Sequence, residues 1–395
     1  MRRNILLGSC LAIALGTVGC QDQRTEPTAP STGTGAELRL QSTTPGRLGL
    51  KRGRLKLPPS ARVTDQYFAE AARRAIDPDD YVCPPSTPVI DWFIGEFEEF
   101  IIEEPFIFDR LYNDLWADVI PTYEALFFLT EDTPQEFGYD GEYTHDIQKT
   151  HRDAKRFWDI PSDQIQLVDM KGSMLLDTDR VAAAYELPFM PPFFGLSEED
   201  ALDSASAVRS LVLQSEVLDG GNHPLFSFNA FAFWTDDGSL PEKIVMGDGL
   251  LAGYEAVGFG DVAPQAIYAH EFAHHIQNQN DYFNDPLATQ GDPPERTRYI
   301  ELMADAYSAY YLTHKRGATM NRKRVEQFLQ VFFQIGDCAF DNPGHHGTPN
   351  QRMAAAQFGF DTADEAQKQG HILTSEQFHD LFVAAYPELI APDAV

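Results

Sequence analysis

Residues 269–277 read Ala-His-Glu-Phe-Ala-His-His-Ile-Gln, and no other stretch of the chain limits its fold and chemistry so tightly. The spacing H-E-x-x-H predicts a helix. On it His270 and His274 sit one turn apart on one face, with Cβ atoms about 5–6 Å apart. Two imidazoles at that separation can share one metal ion at the roughly 2.0–2.1 Å of a Zn–N bond. Glu271 lies beside them, free to take a proton from a water held there. Ala269, Phe272, Ala273 and Ile276 form an apolar stripe on another face, so the helix has one side for the core and one for chemistry. Pro264 suits its first turn and Asp261 a nearby cap. A surface helix with two solvated histidines would carry the same five letters, so the assignment needs support from elsewhere in the chain.

A catalytic zinc takes a third protein ligand and keeps one position open. Downstream, Glu301-Leu302-Met303-Ala304-Asp305 places two carboxylates at i and i+4 on a second predicted helix, from about Glu295 to Arg316. Lys315 and Arg316 fit its last turn and Gly317 its end. Glu301 completes a His-His-Glu set, and Asp305 can accept a hydrogen bond from the distal nitrogen of a ligand histidine. Ala304 and Ser308 are small enough to let the two helices pack closely. Val325, Phe328, Leu329, Phe332 and Ile335 mark a third helix, closed by Gly336. Thr348-Pro349-Asn350-Gln351 is a capping box with proline at N1. It opens a fourth helix holding Arg352, whose expected role is to brace structure against a carboxylate or a helix end. The residues after His274 exclude the metzincin pattern, which needs a glycine and a third histidine there.

Upstream, Leu225 to Trp234 is aromatic and partly alternating, and Lys243-Ile244-Val245-Met246 is a second short strand. Asp236-Asp237-Gly238-Ser239 is a turn signal between them, so a hairpin is expected just before the H-E-x-x-H helix. Residues 63–215 are aromatic and acidic, with buried helices expected over 91–108 and 111–129, a short strand over 165–169, and a helix opened by Ser197 and running to about Gln214. His145 and His151 read as surface or packing residues.

The chain of 395 residues is long enough for one large domain or two modest ones. Its formal net charge of −30 argues against nucleic acid as a partner. Arg2 and Arg3 precede a short apolar run from Ile5 to Leu15, too short to span a membrane, as in an export signal. Thr17-Val18-Gly19-Cys20 then resembles the lipobox of bacterial lipoproteins, with Thr17 where Leu is usual. That resemblance implies cleavage after residue 19 and lipid on Cys20; an ordinary secretory signal is the alternative. Asp22 stands one place beyond the inner-membrane retention position, which favours the outer membrane, facing the periplasm or the cell surface. Residues 20–62 read as a flexible tether; from 21 to 62 they carry eight Lys or Arg against three Asp or Glu. Processing leaves Cys83 and Cys338, an even pair in an oxidising compartment and a disulfide candidate.

Four blocks together carry a family resemblance: 270–278, 301–305, Ile335-Gly336-Asp337, and His346-Gly347-Thr348-Pro349-Asn350-Gln351-Arg352. They resemble, in the same order, HExGHHVQN, ELQAD, IGDD and HGxxxQR of the bacterial neutral zinc metallopeptidase family. Cys338 stands where that family often has a second Asp. The shared blocks lie within roughly a third of the chain, about residues 240–360. More distantly, Asn229-Ala230-Phe231 through Trp234, with residues 244–249, is similar to the edge strand of thermolysin-like gluzincins. There the strand takes substrate backbone as an added β-strand. The likeness implies that Asn229 and Ala230 contact substrate, although Ala232 and Phe233 intervene before Trp234. It also implies an oxyanion donor, for which His346 is the first candidate and His345, Tyr254 and Tyr282 compete.

The expected fold class is therefore α+β, with a gluzincin-like region at 216–395, a small antiparallel edge hairpin on a mainly helical active-site region, and a separate N-terminal region at 63–215. The expected function is that of an exported, lipid-anchored zinc metallopeptidase acting on peptide or protein substrates, with Zn2+ held by His270, His274 and Glu301 and with Glu271 as general base. The rival readings are a non-catalytic cell-envelope lipoprotein with a structural or vestigial metal site, and a cell-wall amidase on a similar site.

Overall fold

The computed structural model describes residues 86–391, apart from 191, 236–237, 321, 335, 337–344 and 368–370. The residues read as a signal segment and tether, the candidate lipidation site Cys20, and the candidate disulfide residues Cys83 and Cys338 lie outside the described residues.

The labelled elements, in chain order, are helix α1 (Pro88–Glu103), α2 (Ile120–Phe127), α3 (Thr144–Phe157), strand β1 (Gln166–Met170), α4 (Thr178–Tyr185), α5 (Glu198–Gln214), strands β2 (Ala230–Phe233) and β3 (Lys243–Gly247), α6 (Asp248–Ala256), α7 (Ala263–Gln279), α8 (Pro293–Thr313), α9 (Arg322–Gln334), α10 (Pro349–Gln367) and α11 (Ser375–Leu389). Helices dominate, beside one three-stranded mixed sheet, an α+β arrangement. The hairpin expected from the sequence is present as the antiparallel pair β2–β3, with Ala230 opposite Met246. It is not alone: β1 pairs in parallel with β3, Val168 opposite Val245, giving the order β1-β3-β2. The sheet thus joins 63–215 to 216–395, across the boundary that composition suggested.

Alternate residues of each strand enter two different cores, as a period of two demands. Leu167, Ala230, Ile244 and Met246 face α7 and the helices behind it. Val168, Phe231, Phe233 and Val245 face the other way, onto α2, α4 and α5. Every residue of β2 and β3 is buried, Lys243 included. The Lys243 ammonium reaches the end of α2 and donates to the carbonyls of Ala125, Leu126 and Leu129, which satisfies three acceptors at that end, two of them buried.

Helix boundaries follow local chemistry, with two corrections. Ser197 caps α5 through the Asp200 N–H, and Thr348 and Gln351 exchange the two bonds of a capping box at α10, both at 3.1 Å. Val262, not Asp261, precedes α7, and Pro264 sits in its first turn. Helix α8 stops at Thr313, short of Lys315 and Arg316. The His314 ring turns back there, and its Nδ1 accepts from the Arg316 N–H at 3.1 Å. Helix α8 is the central rod, packed on α7 and, most extensively, on α10. Gly359 makes the second contact possible, because a Cβ there would lie 2.1 Å from the Ala306 carbonyl. Among the described residues no helix is long and apolar enough to cross a membrane.

Candidate metal centre

Helix α7 presents His270 and His274 on one face, and α8 crosses that face with Glu301. Their ligand-type atoms lie within 4.8 Å of one another, and all three residues are buried. His270 Nε2 is 3.2 Å from Glu301 Oε2, and His274 Nε2 is 3.7 Å from Glu301 Oε1. The two Nε2 atoms face each other at 3.2 Å. The surroundings use up the other ends of these side chains. His270 Nδ1 is 2.9 Å from Asp305 Oδ1, an ion-pair contact outside hydrogen-bond geometry, and Arg352 binds the same carboxylate. His274 Nδ1 is 2.7 Å from Gln277 Oε1.

Electrostatics favour a cation between the three. Glu301 Oε1 makes no hydrogen bond, although it is buried. Burial opposes the Glu301 charge, but His274, His270 and His346 together hold its carboxyl far below the usual range. Burial pulls the His274 imidazole down to about 4, so it stays neutral with a lone pair to give. Burial pulls the same way on His270, but its contacts to Asp305 and Glu301 overcome this and raise it to about 9. A proton on His270 therefore stands where a positive ion fits. Two imidazoles and one carboxylate, converging on a buried point with their far sides braced, are a donor set suited to zinc. Whichever cation binds, the residues present fit one.

Glu271 sits beside this group. Burial raises its carboxyl to about 7, with Glu301 adding to the effect and His270 opposing it. It is anchored by the backbone N–H of Ala232 in β2, while its Oε2 has no hydrogen-bond partner. The register explains the anchor. Gly247 N–H donates to the Asn229 carbonyl at 2.9 Å, which makes that pair hydrogen-bonded, so Ala230 and Ala232 turn their backbone groups to the other edge of β2. Ala232 spends its N–H there on Glu271. Ala230 presents its backbone to the same edge, where the sequence expected substrate contact. Asn229 turns its carbonyl to β3. Its side chain lines the cavity instead, with Oδ1 buried and unpartnered.

The cavity in front of Glu271 is lined by His270, Glu301, His346 and Arg352, by Ala230 of β2, and by apolar side chains including Phe228, Ile267 and Phe332. His346, the first candidate for the oxyanion donor, lines this cavity. Of its competitors, Tyr254 also lines the cavity, but its hydroxyl donates to the Val331 carbonyl at 3.0 Å. Tyr282 stacks on His379 at 3.9 Å, within the C-terminal packing. Val89 and Ile90, at the start of α1, close one side of the cavity. Thr87 Oγ1 donates to the Gln334 carbonyl at 2.5 Å and holds that start against the end of α9. Sequence reasoning assigned nothing to this part of α1, whose apolar residues carry no chemical signature. His151 is buried between Tyr268 (2.7 Å) and Glu131 (2.8 Å), a packing role.

No protein-family model, no curated protein and no solved structure matches the chain.

Proposed function

We propose that the chain is a zinc-dependent peptidase, exported and held at the cell envelope, at the outer membrane, by lipid on Cys20. The observation that supports this most is the position of Glu271, beside a buried His270–His274–Glu301 group and tied to the strand edge where a peptide backbone could pair. A bound zinc would supply a Lewis acid and a water acidic enough to ionise near neutral pH. Glu271, raised to about 7 by burial, is suited to take that water's proton and return it to the leaving amine. Ala230 would orient substrate through its backbone, and His346 would donate to the developing oxyanion. A purely structural site has no use for a base with one carboxylate oxygen free inside a cavity, which favours this reading over a vestigial metal site. The block resemblance to neutral zinc metallopeptidases points the same way.

Metal analysis of the purified protein, with cleavage profiling on a proteome-derived peptide library, tests the proposal. Zinc should be bound at one ion per chain and be lost in His274→Ala. Glu271→Gln should keep the metal and lose about 10²–10⁴-fold in turnover. Absence of zinc from the wild type, or near-normal turnover in Glu271→Gln, would sink it. Cleavage confined to cell-wall peptides by amidase chemistry would favour the amidase instead.

A further inference from the structure

Gln277 lies three residues beyond His274 on α7 and is fully buried. Its amide bridges two groups. Nε2 donates to the Ile300 carbonyl at 2.7 Å, and Oε1 lies 2.7 Å from His274 Nδ1. A carbonyl only accepts, so the Ile300 contact orients the amide: the NH2 must face Ile300, and Oε1 must face the histidine. The reverse orientation would press two oxygens together at 2.7 Å in a buried site, and would set an NH2 against the ring. With Oε1 facing it, His274 Nδ1 has to carry the hydrogen, and Nε2 is left as a lone pair. That lone pair points to His270 Nε2 and towards Glu301.

We propose that Gln277 is a positioning residue. It holds His274 in the Nδ1–H tautomer and ties that choice to the backbone immediately before Glu301. One side chain thereby sets both the donor atom of one ligand and the placement of the helix that carries another. The two histidines are braced differently. His270 leans on a carboxylate shared with Arg352, whereas His274 leans on a neutral amide that adds no further negative charge to the site. The inference rests on the metal reading above only for its consequence, since the tautomer is a property of the chain itself.

Nitrogen NMR of the full chain, metal-free and labelled at histidine, reads the tautomer directly, with His274→Ala identifying the signal. The wild type should show the His274 hydrogen on Nδ1. Gln277→Met, similar in size but without an acceptor, should shift His274 towards the Nε2–H form. In a chelator competition it should bind zinc about 10–100-fold more weakly. A role confined to packing would leave the tautomer unmoved. A wild-type His274 with its hydrogen on Nε2 overturns the proposal, as does an unchanged tautomer in Gln277→Met. If that variant does not fold, the wild-type spectrum alone decides. A wild type that binds no zinc defeats the metal reading, while the tautomer still settles the part played by Gln277.

Discussion

Arg352 grips Asp305 with both arms of its guanidinium, Nε to Oδ2 and Nη2 to Oδ1, each at 2.7 Å, and neither residue is more than 1% exposed. The same Nη2 is 3.7 Å from Glu301 Oε2. Two carboxylates one turn apart on α8 would repel each other in a dry interior, and Arg352 from α10 offsets that repulsion. Arg352→Gln should leave Asp305 buried without its guanidinium partner and destabilise the fold by about 3–5 kcal/mol. Arg352→Lys should recover only part of this, because an ammonium cannot span both oxygens. Denaturant unfolding of the two variants measures it. A loss below about 1 kcal/mol in Arg352→Gln would show that the pair contributes little.

His346 differs from the metal set in what its removal should do. It lines the cavity with Glu271 and helps hold the Glu301 carboxyl low. If the proposed peptidase reading holds and His346 serves the oxyanion, His346→Phe should leave zinc binding unchanged and lose about 10²–10³-fold in turnover. Loss of zinc in that variant would make His346 a ligand and displace Glu301 from that role.

Much of this arrangement is legible in the chain because helical spacing carries it. His270 and His274 at i, i+4, Glu301 and Asp305 at i, i+4, and the Thr348–Gln351 capping box are all local patterns, and the structure brings each to its expected face. The Arg352–Asp305 pair was half legible: bracing was expected, but its partner is 47 residues away. What escaped depends on long-range register. No local signal pairs β1 with β3, or places the Ala232 N–H rather than an Asn229 carbonyl on the side of Glu271. Gln277 did have a local signal, since a residue three beyond a ligand histidine shares its helix face. The end of α8 misled because Lys315, Arg316 and Gly317 look like a helix terminus, while His314 caps the turn first.

Cys83 and Cys338 lie outside the described residues; the described residues nearest them in sequence include Thr87 and Gln334. Thr87 Oγ1 donates to the Gln334 carbonyl, and Val89 N–H to Gln334 Oε1 at 3.2 Å. Cys83 and Cys338 are the two thiols that the proposed processing leaves, in an oxidising compartment. A disulfide between them is expected. Its removal by Cys83→Ser should cost at most about 5 kcal/mol, since the loop it closes is long. Intact-mass analysis after alkylation under denaturing, non-reducing conditions checks the bond; two labelled cysteines would rule it out.

Asp248 opens α6 with its carboxylate buried, accepting from the Gly138 N–H at 2.8 Å and lying 3.1 Å from the Lys171 ammonium. Burial outweighs both contacts and raises the carboxyl from an ordinary 3.8 to about 6. The folded chain therefore prefers the protonated acid. The stability this group contributes is fully present below about pH 4 and is lost as the pH rises through 6, where the buried group must ionise. Over that window the change amounts to about 3 kcal/mol at most. Asp248→Asn keeps the size and the acceptor for Gly138 but cannot ionise. Its melting temperature relative to the wild type should consequently rise between pH 4 and pH 7, whatever the sign of the difference at pH 4. Melting curves of both proteins across that range test this, and a gap that stays constant would mean that folding does not raise the Asp248 carboxyl.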